Sequence, residues 1–266
     1  MGSRDLTTTD AAKSWLGIST SDSDTVIGDL VRQISNFALN KMSRGFILPR
    51  EATEVYDGLG GDRMILNNWP VSSVSQLKIN NVVVPPAGDY PSSGWILEAS
   101  PDDPPGMMQR LDLRGYRFSE GRKNVSVTYT AGYQVESEPF TTVSGVNKMQ
   151  CPFGRWGSDM GVVRANTGAA LVKVSTAPAA GQYAVSATGD YTFGDIGLDV
   201  LVSYGYFPAD LERAVLEWIA ERFKYRERIG IQSKSLGGAE TISYAIESVP
   251  KFVAPVLQTY TRVVSC

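Results

Sequence analysis

Apolar residues recur at helical spacing near both ends of this 266-residue chain, and that pattern constrains its fold more than any other feature. Steps of three and four residues place side chains along one side of a helix. One stripe predicts a helix over 22–44, capped by Asp22 or Asp24 and ended at Gly45, and a second predicts a helix that begins at Pro208. The stripes consist of Val26, Ile27, Leu30, Ile34, Phe37, Ala38 and Met42, then Leu211, Val215, Trp218, Ile219 and Phe223.

Two shorter helices are predicted beside these. Residues 8–16 are expected to be helical, because Thr8 or Thr9 can cap the first turn and Gly17 can end the helix in the left-handed conformation. An apolar stripe near the carboxyl end predicts a final helix, and Pro255 would strain that helix if it began much earlier.

Between the helices, β-branched and aromatic segments alternate with Gly, Pro and Asn, which is typical of antiparallel strands joined by turns. Val125 to Tyr129 alternates strictly, so one side of that strand is expected to be buried. The same segment resembles Val200 to Tyr206, and only the second copy runs directly into a predicted helix. Either residues 134–199 were inserted at a strand–helix junction, or the two segments share only ordinary strand chemistry.

These patterns predict an α+β fold in which N- and C-terminal helices form a small helical bundle. Residues 1–50 and 200–266 would form that helical core, residues 51–133 an antiparallel β domain, and residues 134–199 a second, inserted β module. The module is rich in Ala, Gly, Ser, Thr and Val and poor in charge.

Composition excludes several function classes. Histidine is absent, which removes Ser-His-Asp and Cys-His triads and most zinc sites. The formal net charge is −3 without a strongly basic run, so tight nucleic-acid binding is not expected. There is no apolar run of ~18 residues and no signal-like start, which predicts a chain made in the cytoplasm without a membrane span. Cys151 and Cys266 are expected to be free thiols, with a disulfide as the alternative. No catalytic residue, metal site or cofactor is predicted.

A few local features admit two interpretations each. Gly58 to Asp62 is expected to be a tight turn rather than a phosphate loop, because a strand follows it. Asp102 and Asp103 suggest a solvated loop rather than carboxylate catalysis. The one mildly basic stretch either faces passing DNA or forms an ordinary charged sheet face; its cations are Arg110, Arg114, Arg117, Arg122 and Lys123. The tryptophans form a sugar-binding platform or, by the simpler interpretation, a core or interface; they are Trp69, Trp95, Trp156 and Trp218.

The order of these elements resembles the head–tail connector (adaptor) family of tailed bacteriophages. In that family two N-terminal helices precede a β region, and a further helix follows a Val-x-Tyr-x-x-Gly-Tyr…Pro motif. The segments that carry the likeness are 12–17, 27–45, 69–74, 125–133, 208–230 and the Ser-Leu-Gly-Gly loop at 235–238. The segments 178–183 and 189–193 look like β modules of phage tail and virion proteins, and shorter members of the family lack this insert.

The resemblance implies a structural virion protein at the neck, in a ring commonly of twelve subunits. Such a ring binds the portal protein, extends the channel for double-stranded DNA without reading its sequence, and receives a tail or head-completion (stopper) protein. Because the last predicted helix is terminal and amphipathic, we expect it to dock on the portal through Phe252, Val253, Val256, Leu257, Tyr260 and Val264. The alternative function is a phage tail or adhesion-type β module that recognises a host receptor or glycan. An enzyme is not expected.

Overall fold

The computed structural model describes residues 4–89, 91–98, 110–226, 233–236, 240–243 and 249–262. Within these residues, no helix is both long and apolar enough to cross a bilayer. The helices of the described residues are α1 (Thr9–Leu16), α2 (Asp24–Lys41), α3 (Ala209–Tyr225) and α4 (Val253–Thr259). The strands of the first half are β1 (Arg50–Gly58), β2 (Arg63–Ile65), β3 (Val71–Ile79), β4 (Val82–Val84), β5 (Gly94–Glu98), β6 (Arg110–Arg114) and β7 (Gly121–Ala131).

The remaining strands follow β7 and continue past α3. They are β8 (Gln134–Thr141), β9 (Asn147–Lys148), β10 (Gly154–Arg164), β11 (Val172–Val174), β12 (Gln182–Val185), β13 (Asp190–Phe193), β14 (Asp199–Pro208), β15 (Ser233–Leu236) and β16 (Glu240–Ser243). The chain divides into two compact units: the helical unit, Met1–Gly45 with Ala209–Thr261, and the β unit, Phe46–Pro208 with Arg262–Cys266. The three-part division drawn from the sequence stays a prediction.

The helical unit joins residues from both ends of the chain. Thr8 caps α1, since its side chain accepts a hydrogen bond from the Ala11 amide at 3.0 Å, and Gly17 ends the helix at a φ of 70°, as predicted. Helix α3 packs against α1, α2 and α4. The ring of Phe37 on α2 meets that of Trp218 on α3 edge to face, 5.4 Å between centroids. The side chains buried between these helices include Ile27, Val31, Ile34, Leu39, Leu211, Val215, Ile219, Val253 and Leu257.

The first core of the β unit lies between two sheets. One has the strand order β1-β7-β3-β4 and the other β2-β6-β5. The strict alternation predicted for Val125 to Tyr129 is confirmed, because Val125, Val127 and Tyr129 on the central strand β7 are fully buried. Residues of both sheets share this core, among them Tyr56, Leu66, Leu77, Leu111 and Phe118.

The second core of the β unit lies between the sheets β10-β14-β8 and β11-β12-β13-β9. Strand β14 is the central strand of its sheet, and its buried side chains Val200, Val202 and Tyr204 belong to this core. The backbone amide of Tyr206 donates to the carbonyl of Tyr133 at 3.0 Å. The two ends of the segment 134–205 therefore lie next to each other, at hydrogen-bonding distance across Tyr133 and Tyr206.

The predicted fold class, α+β built on a small helical bundle, is wrong. Strands account for 40% of the residues that the structure describes, and the same residues contain four short helices. The periodic stripes overestimated the helices: α2 ends at Lys41 because Ser43 adopts a left-handed φ of 55°, and α4 extends only over Val253–Thr259. The strands are also longer than the short segments predicted, since β7 and β10 each run through 11 residues.

Candidate functional site

The predicted docking segment coincides with α4 in the helical unit. Val253, Leu257 and Tyr260 are buried there, and the Tyr260 hydroxyl donates to the Asp210 carboxylate, so these three side chains hold the unit together. Phe252 is 49% exposed and Val256 is half-buried, and they are the members available to a partner. The sixth residue, Val264, lies outside the described residues. Beside α4 is a groove of about 280 Å³ lined by Lys41, Val249, Ala254, Leu257, Gln258 and Thr261.

The predicted basic stretch is divided between two sheets of the β unit, with Arg110 and Arg114 on β6 and Arg122 and Lys123 on β7. Arg110 is engaged by carboxylates, with Nε 2.7 Å from Asp112 Oδ1 and Nη2 3.3 Å from Glu98 Oε2. The hydrogen bond and charge of Asp112 raise the pKa of Arg110. Arg114 is half-buried on β6, and Arg117 makes a long contact of 3.5 Å to the Gly60 carbonyl. The other two cations of the stretch, Arg122 and Lys123, are both exposed at the start of β7.

Lys123 lines a polar groove of about 490 Å³ on the outer side of the sheet β1-β7-β3-β4. We call it the Lys78–Lys123 groove; its lining residues are Val55, Lys78, Asn80, Asn81, Lys123, Asn124 and Ser126. Lys78 and the asparagines were missed as site residues from the sequence. The signal that could have found them was the Asn80-Asn81 turn, which follows the end of β3 beside the start of β7.

Several hydrogen bonds fix the shape of this groove. Asn80, Asn81 and Lys123 have left-handed φ values of 50°, 66° and 50°. The backbone amide of Lys123 donates to Asp57 Oδ1 at 2.6 Å, which holds that unusual conformation. The side-chain amide of Asn124 donates to Asn80 Oδ1 at 3.1 Å and to the Ser119 carbonyl at 2.8 Å. The two lysines are thus presented from a rigid framework.

Partly buried carboxylates beside both cores of the β unit accept hydrogen bonds from tyrosine hydroxyls. In the first, Glu54 accepts from Tyr129 at 2.6 Å and from the Asn68 side chain at 2.9 Å, and pairs with Arg262 at 2.6 Å. The Tyr56 hydroxyl also donates to Glu54. These contacts satisfy polar groups that would otherwise be buried without partners, which is a structural role.

The second core has two such clusters. Asp159 on β10 accepts from Tyr183 at 2.8 Å and from Tyr191 at 3.1 Å, and Lys173 lies 2.9 Å away. The Tyr204 hydroxyl donates to Glu138. In the part of the chain that the structure describes, no three Cys, Asp or Glu side chains group as a metal site.

Alkaline pH is expected to destabilise the β unit through these phenols. Burial, followed by nearby carboxylates or charged neighbours, raises the pKa of five tyrosines: Tyr56, Tyr129, Tyr183, Tyr191 and Tyr204. The folded state retains these protons when an unfolded tyrosine, with a pKa of about 10, would lose them. Stability is therefore complete below pH ~10 and falls above it, by about 1.4 kcal/mol per pH unit for each such phenol.

Ultraviolet absorbance of tyrosinate, measured against pH, tests this expectation. The native protein should titrate fewer of its 12 tyrosines near pH ~10 than the same protein in urea, with the rest appearing as unfolding begins. Equal titration curves for the two samples would contradict it.

The structure also describes the tryptophans, the glycine-rich segment and one of the two cysteines that the sequence singled out. Trp69 and Trp218 are buried, and Trp95 and Trp156 pack against the two cores of the β unit, in agreement with the core interpretation. Gly58 to Asp62 is the turn that enters β2. Cys151 is a free, half-buried thiol whose pKa is raised by burial. Cys266, Asp102 and Asp103 lie outside the described residues.

Comparisons with known proteins return little. No protein-family model matches the chain, and none of the curated proteins matches it. Among solved structures, a chain of "Neck of empty GTA particle computed with C6 symmetry" is similar over 98% of this chain and 92% of its own length. The identity is 14% and the TM-score is 0.38. A likeness of this size establishes neither fold nor function.

Proposed function

We propose that this protein is a structural virion subunit of the head–tail connector (adaptor) class. It forms a ring on the portal vertex, with twelve copies as the expected number, extends the channel for double-stranded DNA, and offers the attachment site for a tail or stopper protein. It acts by assembly rather than by catalysis, and it resides in the neck of the virion.

One observation carries the proposal: residues from both chain ends pack into the helical unit, while the strands lie between them in sequence. That is the arrangement implied by the resemblance of 12–17, 27–45 and 208–230 to the connector family. A cyclic ring also needs two different surfaces on each subunit. The helical unit exposes large apolar side chains suited to such contacts, including Trp15, Val26, Phe37 and Phe252.

Substitution of Phe252 should abolish attachment to the portal without unfolding the helical unit. Phe252→Glu places a charge on a side chain that is 49% exposed and precedes α4, so the fold should tolerate it. If Phe252 enters a hydrophobic pocket of the portal, we expect a loss of about 2 kcal/mol or more, roughly 30-fold in affinity. Co-purification with the portal protein of the same genome, followed by electron microscopy, measures the bound ring.

The matched control is Thr259→Glu, which adds the same charge to an exposed position of α4 that does not line the groove. It should bind as the unaltered chain does, and both variants should keep the same helical circular dichroism. The docking hypothesis fails if Phe252→Glu still forms portal-bound rings. The connector assignment itself fails if the unaltered chain never attaches to the portal. A small oligomer that binds a glycan or receptor would instead favour the adhesion-type alternative.

A further inference from the structure

The Lys78–Lys123 groove is lined by two lysines that have no ion-pair partner among the described residues. Elsewhere in the β unit, most lysines and arginines lie within 4 Å of a carboxylate; these are Arg63, Arg110, Lys148, Arg164, Lys173 and Arg262. Among the described residues, no carboxylate lies within that distance of Lys78, Arg122 or Lys123. Asp57 lies beside the groove, where its Oδ1 accepts from the Lys123 backbone amide at 2.6 Å and its negative charge remains. Lys78 and Lys123 together outweigh this one carboxylate, so the groove carries a net positive charge.

Three of the other lining residues offer hydrogen-bond donors. Asn80 uses its carbonyl oxygen to accept from Asn124, so its amide nitrogen remains as a donor. Ser126 contributes a hydroxyl, and Asn81 a second side-chain amide. Ammonium, amide and hydroxyl donors are the groups that proteins use to contact phosphate oxygens. The ligand chemistry indicated by the lining is an anion with several acceptor oxygens.

The lining also discriminates among anionic partners. Its charged groups are lysine ammoniums, which bind phosphate as point charges without the paired geometry that a guanidinium offers. It contains no aromatic ring on which an unpaired base could stack, which disfavours single-stranded nucleic acid. Phosphates on the outside of a duplex need no such ring.

We propose that the Lys78–Lys123 groove binds the phosphate backbone of double-stranded DNA without reading its sequence. This inference deepens the proposed function and rests on it for the identity of the duplex. The groove, rather than Arg110 and its neighbours on β6, is then the surface of each subunit that meets the DNA in the channel. One groove contributes a weak contact, and the copies in a ring act together.

Nuclear magnetic resonance of the full-length chain can test the groove one subunit at a time. Titration with a short duplex of arbitrary sequence should shift the side-chain amide signals of Asn80, Asn81 and Asn124. Lys78→Gln with Lys123→Gln should weaken binding about tenfold at low salt and reduce the slope of log affinity against log salt by about 2. Arg32→Gln removes one exposed charge from the helical unit and should leave both values unchanged.

Three results would overturn the groove proposal: unchanged affinity of the double variant, tighter binding of single-stranded DNA than of duplex, or tighter binding of a poly-glutamate peptide. Each leaves the connector assignment intact, provided that the double variant still forms rings on the portal. Conversely, duplex binding by a chain that never attaches to the portal would retain the groove as a DNA-binding site and discard the connector assignment.

Discussion

Replacing residues 134–205 by Asn-Gly should yield a soluble, folded protein, whereas replacing 134–199 by the same link should not. In the structure the Tyr206 amide donates to the Tyr133 carbonyl at 3.0 Å. That bond is the one that closes a β-turn between its first and fourth residues, so two residues are enough to connect Tyr133 to Tyr206. Asn-Gly is favoured in the type I′ form of this turn, in which both central positions require a positive φ.

The shorter excision removes β8 and β10 but keeps their central partner, β14. Val200, Val202 and Tyr204 would then lose the core that covers them, at about 1.5–3 kcal/mol for each side chain. The strand would also expose unpaired backbone on both edges, which promotes aggregation. The longer excision removes the whole second core and leaves the first one intact, since the two cores share no residue.

Size-exclusion chromatography and circular dichroism distinguish the two variants. We expect a monodisperse peak and an undiminished helical signal for the 134–205 replacement, and insoluble protein for the 134–199 replacement. Equal behaviour of both variants, whether soluble or insoluble, would contradict the boundary placed at 205.

Local chemistry made parts of this fold predictable from the sequence. The Thr8 cap, the Gly17 stop and the alternation from Val125 to Tyr129 depend on neighbouring residues alone, and the structure has all three. The predicted end of the module, residue 199, stays a prediction, but Val200 to Tyr206 belongs to β14, which pairs with two strands of the predicted module. Its strand partners, Gln134–Thr141 and Gly154–Arg164, lie far away in sequence, and pairing at such a distance leaves no local signal.

Prediction of the candidate sites also requires knowledge of contacts between residues that are far apart in sequence. Lys78 and Lys123 lie in different strands and reach one groove only through the register that sets Lys78 opposite Ser126. The amphipathic pattern of α4 identified Val253, Leu257 and Tyr260 correctly as an apolar side. It did not show that this side is covered by the helical unit itself, because a stripe facing a core and a stripe facing a partner have the same periodicity.

Asp159→Ala should destabilise the second core of the β unit by about 2–5 kcal/mol, because it leaves two buried phenols without an acceptor. The Asp159 side chain is 6% exposed, and Tyr183 and Tyr191, which donate to it, are 2% and 0% exposed. Lys173 is 52% exposed and can turn to water, so the phenols account for most of the cost. Asp199→Ala is the matched control, because it removes an exposed carboxylate whose hydrogen bond to Thr141 lies at the surface.

A second substitution separates the loss of the acceptor from a general loosening of the core. Tyr183→Phe alone removes a satisfied hydroxyl and should destabilise the protein, but in the Asp159→Ala background it removes an unsatisfied one and should restore stability. Hydrogen exchange of peptides covering 182–193 reports on this core separately from the rest of the chain. If Tyr183→Phe lowers protection by the same amount in both backgrounds, the carboxylate–phenol contact does not hold these strands together.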